Sequence, residues 1–358
     1  MFPRPARLLL SSSWPWLPLA LALGLLWPGT GVARAQEDAG DYIQVAAPRR
    51  QEGLQNFLGP QGYAMVELRQ AAGPHLEVSA SINGVPGHFL VDTGAQITVV
   101  HTASLAKFKL SAVKTGVRVY GAVGGPGEQI QAALANRLQL GPCEATPFLL
   151  GVSDLSALNQ GRRDRRKGGN PGPRYDGIIG ADVLQTFSFL IDCAGLRLFV
   201  WPPNAPRERP GGHGGLAAYL RGRFYGEIPM KRASISDFEV PANVNGRRAL
   251  WLVDTGAAIT LLDSKLSRAA GVKLHRTPYT VGGAGGGRQH IEIGIVDNLR
   301  FSSVQVRSAY VAVSNISVHN AALQERGKPP IDGYLGADFL RERGAVIDCG
   351  QMRLYLRN

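Results

Sequence analysis

The chain has 358 residues, 39 Lys+Arg against 27 Asp+Glu, and a formal net charge of +12. With 18% charged and 44% hydrophobic residues it is not a disordered polyelectrolyte, and 45 glycines without a triplet period exclude collagen. Three cysteines are too few for a disulfide scaffold and lack CxxC or zinc-finger spacing.

The N-terminus reads as a targeting segment. Arg4 and Arg7 form a basic region, an apolar run follows from Leu17 to Trp27, and Ala33-Arg34-Ala35 supplies a small-x-small cleavage pattern. Cleavage after Ala35 would remove three arginines and no acid, lowering the net charge from +12 to +9. Residues 1–35 are therefore expected to be a signal peptide, and the mature protein to be periplasmic or secreted. The polar segment 36–60 is expected to be disordered or a short propeptide. Cys143, Cys193 and Cys349 allow at most one bridge, and no pair is singled out.

From residue 61 onward the chain repeats itself. LEVSASINGVPGHFLVDTGAQIT (76–98) aligns without a gap with FEVPANVNGRRALWLVDTGAAIT (238–260). Further on, DGIIGADVL (176–184) matches DGYLGADFL (332–340), and Ile191-Asp192-Cys193 matches Ile347-Asp348-Cys349. Two copies of this length predict a pseudo-twofold pair of lobes, residues 61–201 and 223–358. The Pro/Gly/Arg-rich stretch between them, 202–222, reads as a linker.

Each lobe is patterned as strands. Alternating residues turn at Asn83-Gly84 and again at Asn245-Gly246, the composition of a tight hairpin. The second strand of each hairpin ends in an apolar run leading into Asp-Thr-Gly. Short helices are expected at Val183–Phe187 and Phe339–Arg343. Asp182 and Asp338 are expected to cap them, and Asp176, Asp192, Asp332 and Asp348 to serve in turns.

A single Asp-Thr-Gly would be an ordinary turn. Two copies at the ends of apolar strands are another matter, because a carboxylate there is costly to bury without a partner. A pseudo-twofold axis would bring Asp92 and Asp254 together. Two carboxylates in one site cannot both ionise easily, so the pair would hold a proton between them and could activate water by acid/base exchange. Thr93 and Thr255 have hydroxyls placed to bond across the interface, and Gly94 and Gly256 allow close backbone approach.

The doubled Asp-Thr-Gly-Ala and doubled apolar-apolar-Gly motifs resemble those of aspartic peptidases of the pepsin/retropepsin superfamily, of the bacterial periplasmic kind with two fused lobes. The resemblance covers about residues 61–358 and implies an all-β fold with the active site between two retropepsin-like lobes. It implies that Asp92 and Asp254 are catalytic. It implies that Thr93, Gly94, Ala95, Thr255, Gly256 and Ala257 support the active-site loops, braced by Ile178-Ile179-Gly180 and Tyr334-Leu335-Gly336. Gly-rich segments at 119–127 and 281–289 would be two flaps, with Tyr120, Gly121, Gly283 and Gly285 near substrate. Tyr120 is either a flap aromatic or an ordinary strand-end residue, since the second lobe has Gly282 there. Ala95 and Ala257 depart from the hydroxyl residue common at that position, which predicts activity nearer weakly acidic to neutral pH.

The implied function is an endopeptidase acting on an extended polypeptide, with a non-cutting peptide-binding protein of the cell envelope as the alternative. No metal or other cofactor is expected: there is no HExxH, GxSxG or P-loop pattern. A single chain carrying both aspartates predicts a monomer. The basic run RRDRRK (162–167) reads as a solvated loop, an attraction to anionic envelope surfaces, or a self-cleavage site. Nucleic acid is not an expected partner.

Overall fold

The computed structural model describes residues 52–70, 73–119, 128–159, 174–205, 212–231, 238–282 and 288–358. The expected signal peptide, the flap residues Tyr120, Gly121, Gly283 and Gly285, and the basic run 162–167 lie outside the described residues.

Within them the fold is mostly β, in three sheets. One belongs to each lobe and the third is shared. The hairpin signals hold in both lobes. Leu76–Ile82 pairs with Val85–Val91, and Glu239–Val244 with Arg247–Val253. Asn83 (φ 52°) and Gly84 (φ 81°) turn the first hairpin, and Asn245 (φ 47°) and Gly246 (φ 89°) the second. Positive φ at two successive residues matches the right-handed twist of the flanking strands, which explains why Asn-Gly recurs there.

Each hairpin's second strand then meets a non-local partner. Val85–Val91 runs parallel to Gly177–Ile179, which in turn lies antiparallel to Val99–His101. The second lobe repeats this with Arg247–Val253, Gly333–Leu335 and Leu261–Asp263. Gly177–Ile179 and Gly333–Leu335 are buried throughout, as are the last three residues of each strand that leads into Asp-Thr-Gly, 89–91 and 251–253, as a central position requires. The outer strands differ. Arg288–Phe301 is one continuous strand, whereas the first lobe divides the same path between Glu128–Ala135 and Leu138–Leu140.

The shared sheet has six strands, three from each lobe. Ala64–Glu67, Arg197–Val200 and Leu190–Asp192 come from the first. Val346–Asp348, Arg353–Arg357 and Tyr225–Pro229 come from the second. Leu190–Asp192 and Val346–Asp348 pair antiparallel at the centre, with Ile191 opposite Ile347. The Ile-Asp-Cys repeat therefore pairs with itself about the pseudo-twofold axis.

Two expectations need correction. Glu52–Leu58 is a helix, not a disordered stretch, and Gly212–Arg221 in the linker is another. Leu54 and Leu58 are buried against Leu216 and Leu220, and Phe57 stacks on Tyr219 at 3.9 Å. Leu54, Phe57 and Leu58 form an i, i+3, i+4 stripe that the polar composition around them concealed. Both helices cover the shared sheet. The three cysteines are buried and free, so no bridge forms.

Candidate active site

The unusual strand order places the two Asp-Thr-Gly loops at the interface between the lobes. In the first lobe the Asp92 N–H donates to the Ile179 carbonyl (3.0 Å), and the Ala181 N–H to the Ala95 carbonyl (2.8 Å). In the second, the Asp254 N–H donates to Leu335 (3.0 Å) and the Ala337 N–H to Ala257 (2.8 Å). The apolar-apolar-Gly motifs thus clamp both loops. A Cβ on Gly180 would lie 2.5 Å from the Ile97 carbonyl carbon, and one on Gly336 would lie 2.4 Å from that of Ile259. Backbone cannot yield at that distance, so both positions require glycine.

The threonines lock the loops together. Thr93 N–H donates to Thr255 Oγ1 and Thr255 N–H to Thr93 Oγ1, both at 3.0 Å. Thr93 Oγ1 donates to the Val253 carbonyl and Thr255 Oγ1 to that of Val91, both at 2.7 Å. Each hydroxyl accepts one bond and donates one across the interface. Valine or alanine would leave buried backbone groups unpaired.

Asp92 and Asp254 are fully buried. Asp92 Oδ1 accepts from Gly94 N–H (2.8 Å) and Ala95 N–H (3.0 Å). Asp254 Oδ1 accepts from Gly256 N–H (2.9 Å) and Ala257 N–H (3.0 Å). The other oxygen, Oδ2, of each is buried and has no hydrogen-bond partner among the described residues. Each carboxyl packs over the other loop's glycine. A Cβ on Gly94 would fall 2.6 Å from Asp254 Cγ, and one on Gly256 would fall 2.3 Å from Asp92 Cγ. Burial is the largest cause raising both carboxyls above the usual carboxylate range, and the charge on Asp92 raises Asp254 further. The backbone donors oppose this without overcoming it. A buried pair holding one proton presents both an acid and a base to whatever occupies the interface.

The expected cap role of Asp182 and Asp338 is corrected by this geometry. Gly180 and Gly336 occupy the N-cap positions, and neither helix start has a side-chain cap. Asp182 instead accepts from Thr98 N–H (2.9 Å) and Thr98 Oγ1 (2.7 Å). Asp338 accepts from the same groups of Thr260 at 3.0 and 2.8 Å. Thr98 and Thr260 in turn accept from Gly180 and Gly336 N–H, each at 3.0 Å. Each pair ties the strand after the catalytic loop to the glycine bracing it. Both members sit in repeated blocks, so a signal for the pairing was present in the sequence. The turn reading holds for Asp192 and Asp348, whose Oδ1 atoms accept from Gly195 and Gln351 N–H. Asp176 does more than turn the chain, binding His88 N–H, Ser104 Oγ and Lys107 Nζ. Among the described residues no three His, Cys, Asp or Glu side chains converge as a metal site.

No curated protein matches the chain in sequence. An aspartic proteinase from Irpex lacteus is similar in structure over 83% of this chain and 97% of that one, at 14% identity and a TM-score of 0.44. The model of the aspartyl protease family matches residues 78–183 and again 240–339, one match in each lobe and together more than half of the chain. With its two matched lobes joined through their Asp-Thr-Gly loops, the chain belongs to the aspartyl protease family.

Proposed function

We propose that the protein is an active aspartic endopeptidase that cleaves extended polypeptides with a water molecule held between Asp92 and Asp254. The observation that supports this most directly is the paired burial of the two carboxyls. Each is fixed through Oδ1 and keeps a buried Oδ2 that has no hydrogen-bond partner among the described residues. The ionised partner takes a proton from water, and the protonated partner gives one to the scissile carbonyl oxygen. The tetrahedral intermediate then collapses, the amine leaving with a proton returned by the dyad. No cofactor enters this scheme. One chain supplies both aspartates, so a monomer suffices, and the leader expected from the sequence at 1–35 is the basis for proposing work outside the cytoplasm.

The test uses protein produced with its leader, so that processing after Ala35 can be read from the N-terminal mass. A mixture of unfolded polypeptides is incubated with wild type, Asp92→Asn and Asp254→Asn between pH 3 and 8, and fragments are identified by mass spectrometry. Cleavage by wild type is expected, with each variant slower by roughly 10²–10⁴-fold. Binding of peptides without fragments from any of the three would replace this reading with that of a peptide-holding protein.

A further inference from the structure

Outside the dyad, one buried histidine reaches across the interface. His75 precedes the strand Leu76–Ile82 of the first lobe and is 4% exposed. Its Nε2 lies 3.0 Å from the carbonyl oxygen of Gly256, in the catalytic loop of the second lobe. A carbonyl only accepts, so Nε2 carries the proton. The same peptide unit donates at its other end, where Ala257 N–H reaches Asp254 Oδ1 at 3.0 Å. We infer that His75 is a positioning residue for Asp254, acting through the Gly256–Ala257 peptide.

Two effects follow from this chain of bonds. The donor at the carbonyl fixes the peptide plane, so Ala257 N–H stays aimed at Oδ1. It also polarises the amide, which strengthens the N–H as a donor to the ionised carboxylate. The device is one-sided. In the aligned repeat, Asp237 stands where the first lobe has His75, so the histidine is not repeated. His75 thereby distinguishes Asp254 from Asp92 in an otherwise symmetric dyad, and it does so from the opposite lobe. Among the described residues, the charge on Asp92 raises Asp254, and Asp254 in turn raises the buried Tyr334 hydroxyl.

The inference rests on the peptidase reading for its kinetic test, but a second readout is independent of activity. Glutamine carries an amide nitrogen at nearly the reach of Nε2, whereas asparagine falls short. His75→Gln should keep kcat within about twofold. His75→Asn and His75→Ala should lose about tenfold in kcat with little change in KM, the worth of one hydrogen bond. Their alkaline limb in kcat/KM should move to higher pH, because Asp254, the partner that ionises second, loses support for its ionised form. Hydrogen exchange of the peptide spanning 254–257 should quicken in the Asn and Ala variants and not in Gln. Equal behaviour of the three variants in kinetics or in exchange would overturn the inference. If wild type itself cuts nothing, the peptidase reading falls and the exchange comparison alone decides the role of His75.

Discussion

At the residue scale the dyad is a contest between burial and donated hydrogen bonds. Each aspartate receives two backbone N–H groups at one oxygen, which favours the ionised form, yet removal from water prevails. Ala95 and Ala257 contribute only their N–H groups and no hydroxyl. Activity needs one proton on the pair. Raising both carboxyls moves the window in which exactly one proton is held toward neutrality, because the shared proton is lost only at higher pH. Asp92, the first of the pair to ionise, is pushed up to about 7, so a maximum in kcat/KM near neutral pH is expected, and one below about pH 3 would contradict the argument. The double variant Ala95→Ser/Ala257→Ser supplies the missing donors, so its acid limb should move down by up to about one unit. These residues were legible from the repeat because a buried acid needs a matching acid or a donor. His75 was not, since its role exists only where the opposite lobe's carbonyl meets it and the repeat itself does not preserve it.

At the element scale, the catalytic loops owe their shape to strands that are distant in sequence. Gly177–Ile179 threads between Val85–Val91 and Val99–His101, and Thr98 is tied to Asp182 across the same junction. Asp182→Ala would leave the Thr98 N–H and hydroxyl without their acceptor. A loss on the order of 3 kcal/mol in urea unfolding is expected, from two bonds to a charged group. A loss under about 1 kcal/mol would mean the sheet alone holds the loop. Local periodicity located the strands and the two short helices but misassigned Asp182 as a cap. Which acceptor wins depends on what lies across the sheet, and helix-start composition does not report that. The helix Glu52–Leu58 was missed for a related reason. Seven residues have little helical stability alone and gain theirs from packing on Gly212–Arg221.

At the scale of the whole molecule, the two lobes share one six-stranded sheet and one set of crossed threonine bonds, so site and stability are coupled. Several carboxyls outside the dyad are also raised by burial: Asp182, Asp192 and Asp338, each pushed up to about 6. In the folded chain they hold protons more tightly than in the unfolded chain. Between about pH 4 and 6 the native state binds more protons, so stability is fully present below the unfolded value and is lost as pH rises through about 6. The dyad acts with the same sign. The opposite shift at Asp154, lowered mainly by its bond with Ser156, belongs to a group largely open to solvent, where screening weakens it. The melting temperature measured by calorimetry should therefore be higher at pH 5 than at pH 7.5. A flat profile over that range would show that these carboxyls ionise as readily folded as unfolded.

The sequence by itself determined the duplication, the hairpins turned by Asn-Gly, the pairing of Asp92 with Asp254 and the glycines that had to lie beside them. All of these are encoded in short strings, and a gapless repeat implies a symmetry axis without any coordinates. Only the tertiary structure decided that the lobes share a sheet centred on Ile191 and Ile347. It also decided that Asp182 and Asp338 serve Thr98 and Thr260, and that His75 reaches Gly256. Those contacts join residues from 78 to 181 positions apart. Such partners are chosen by how whole strands stack and pair, a packing outcome that no local pattern of charge or hydrophobicity carries.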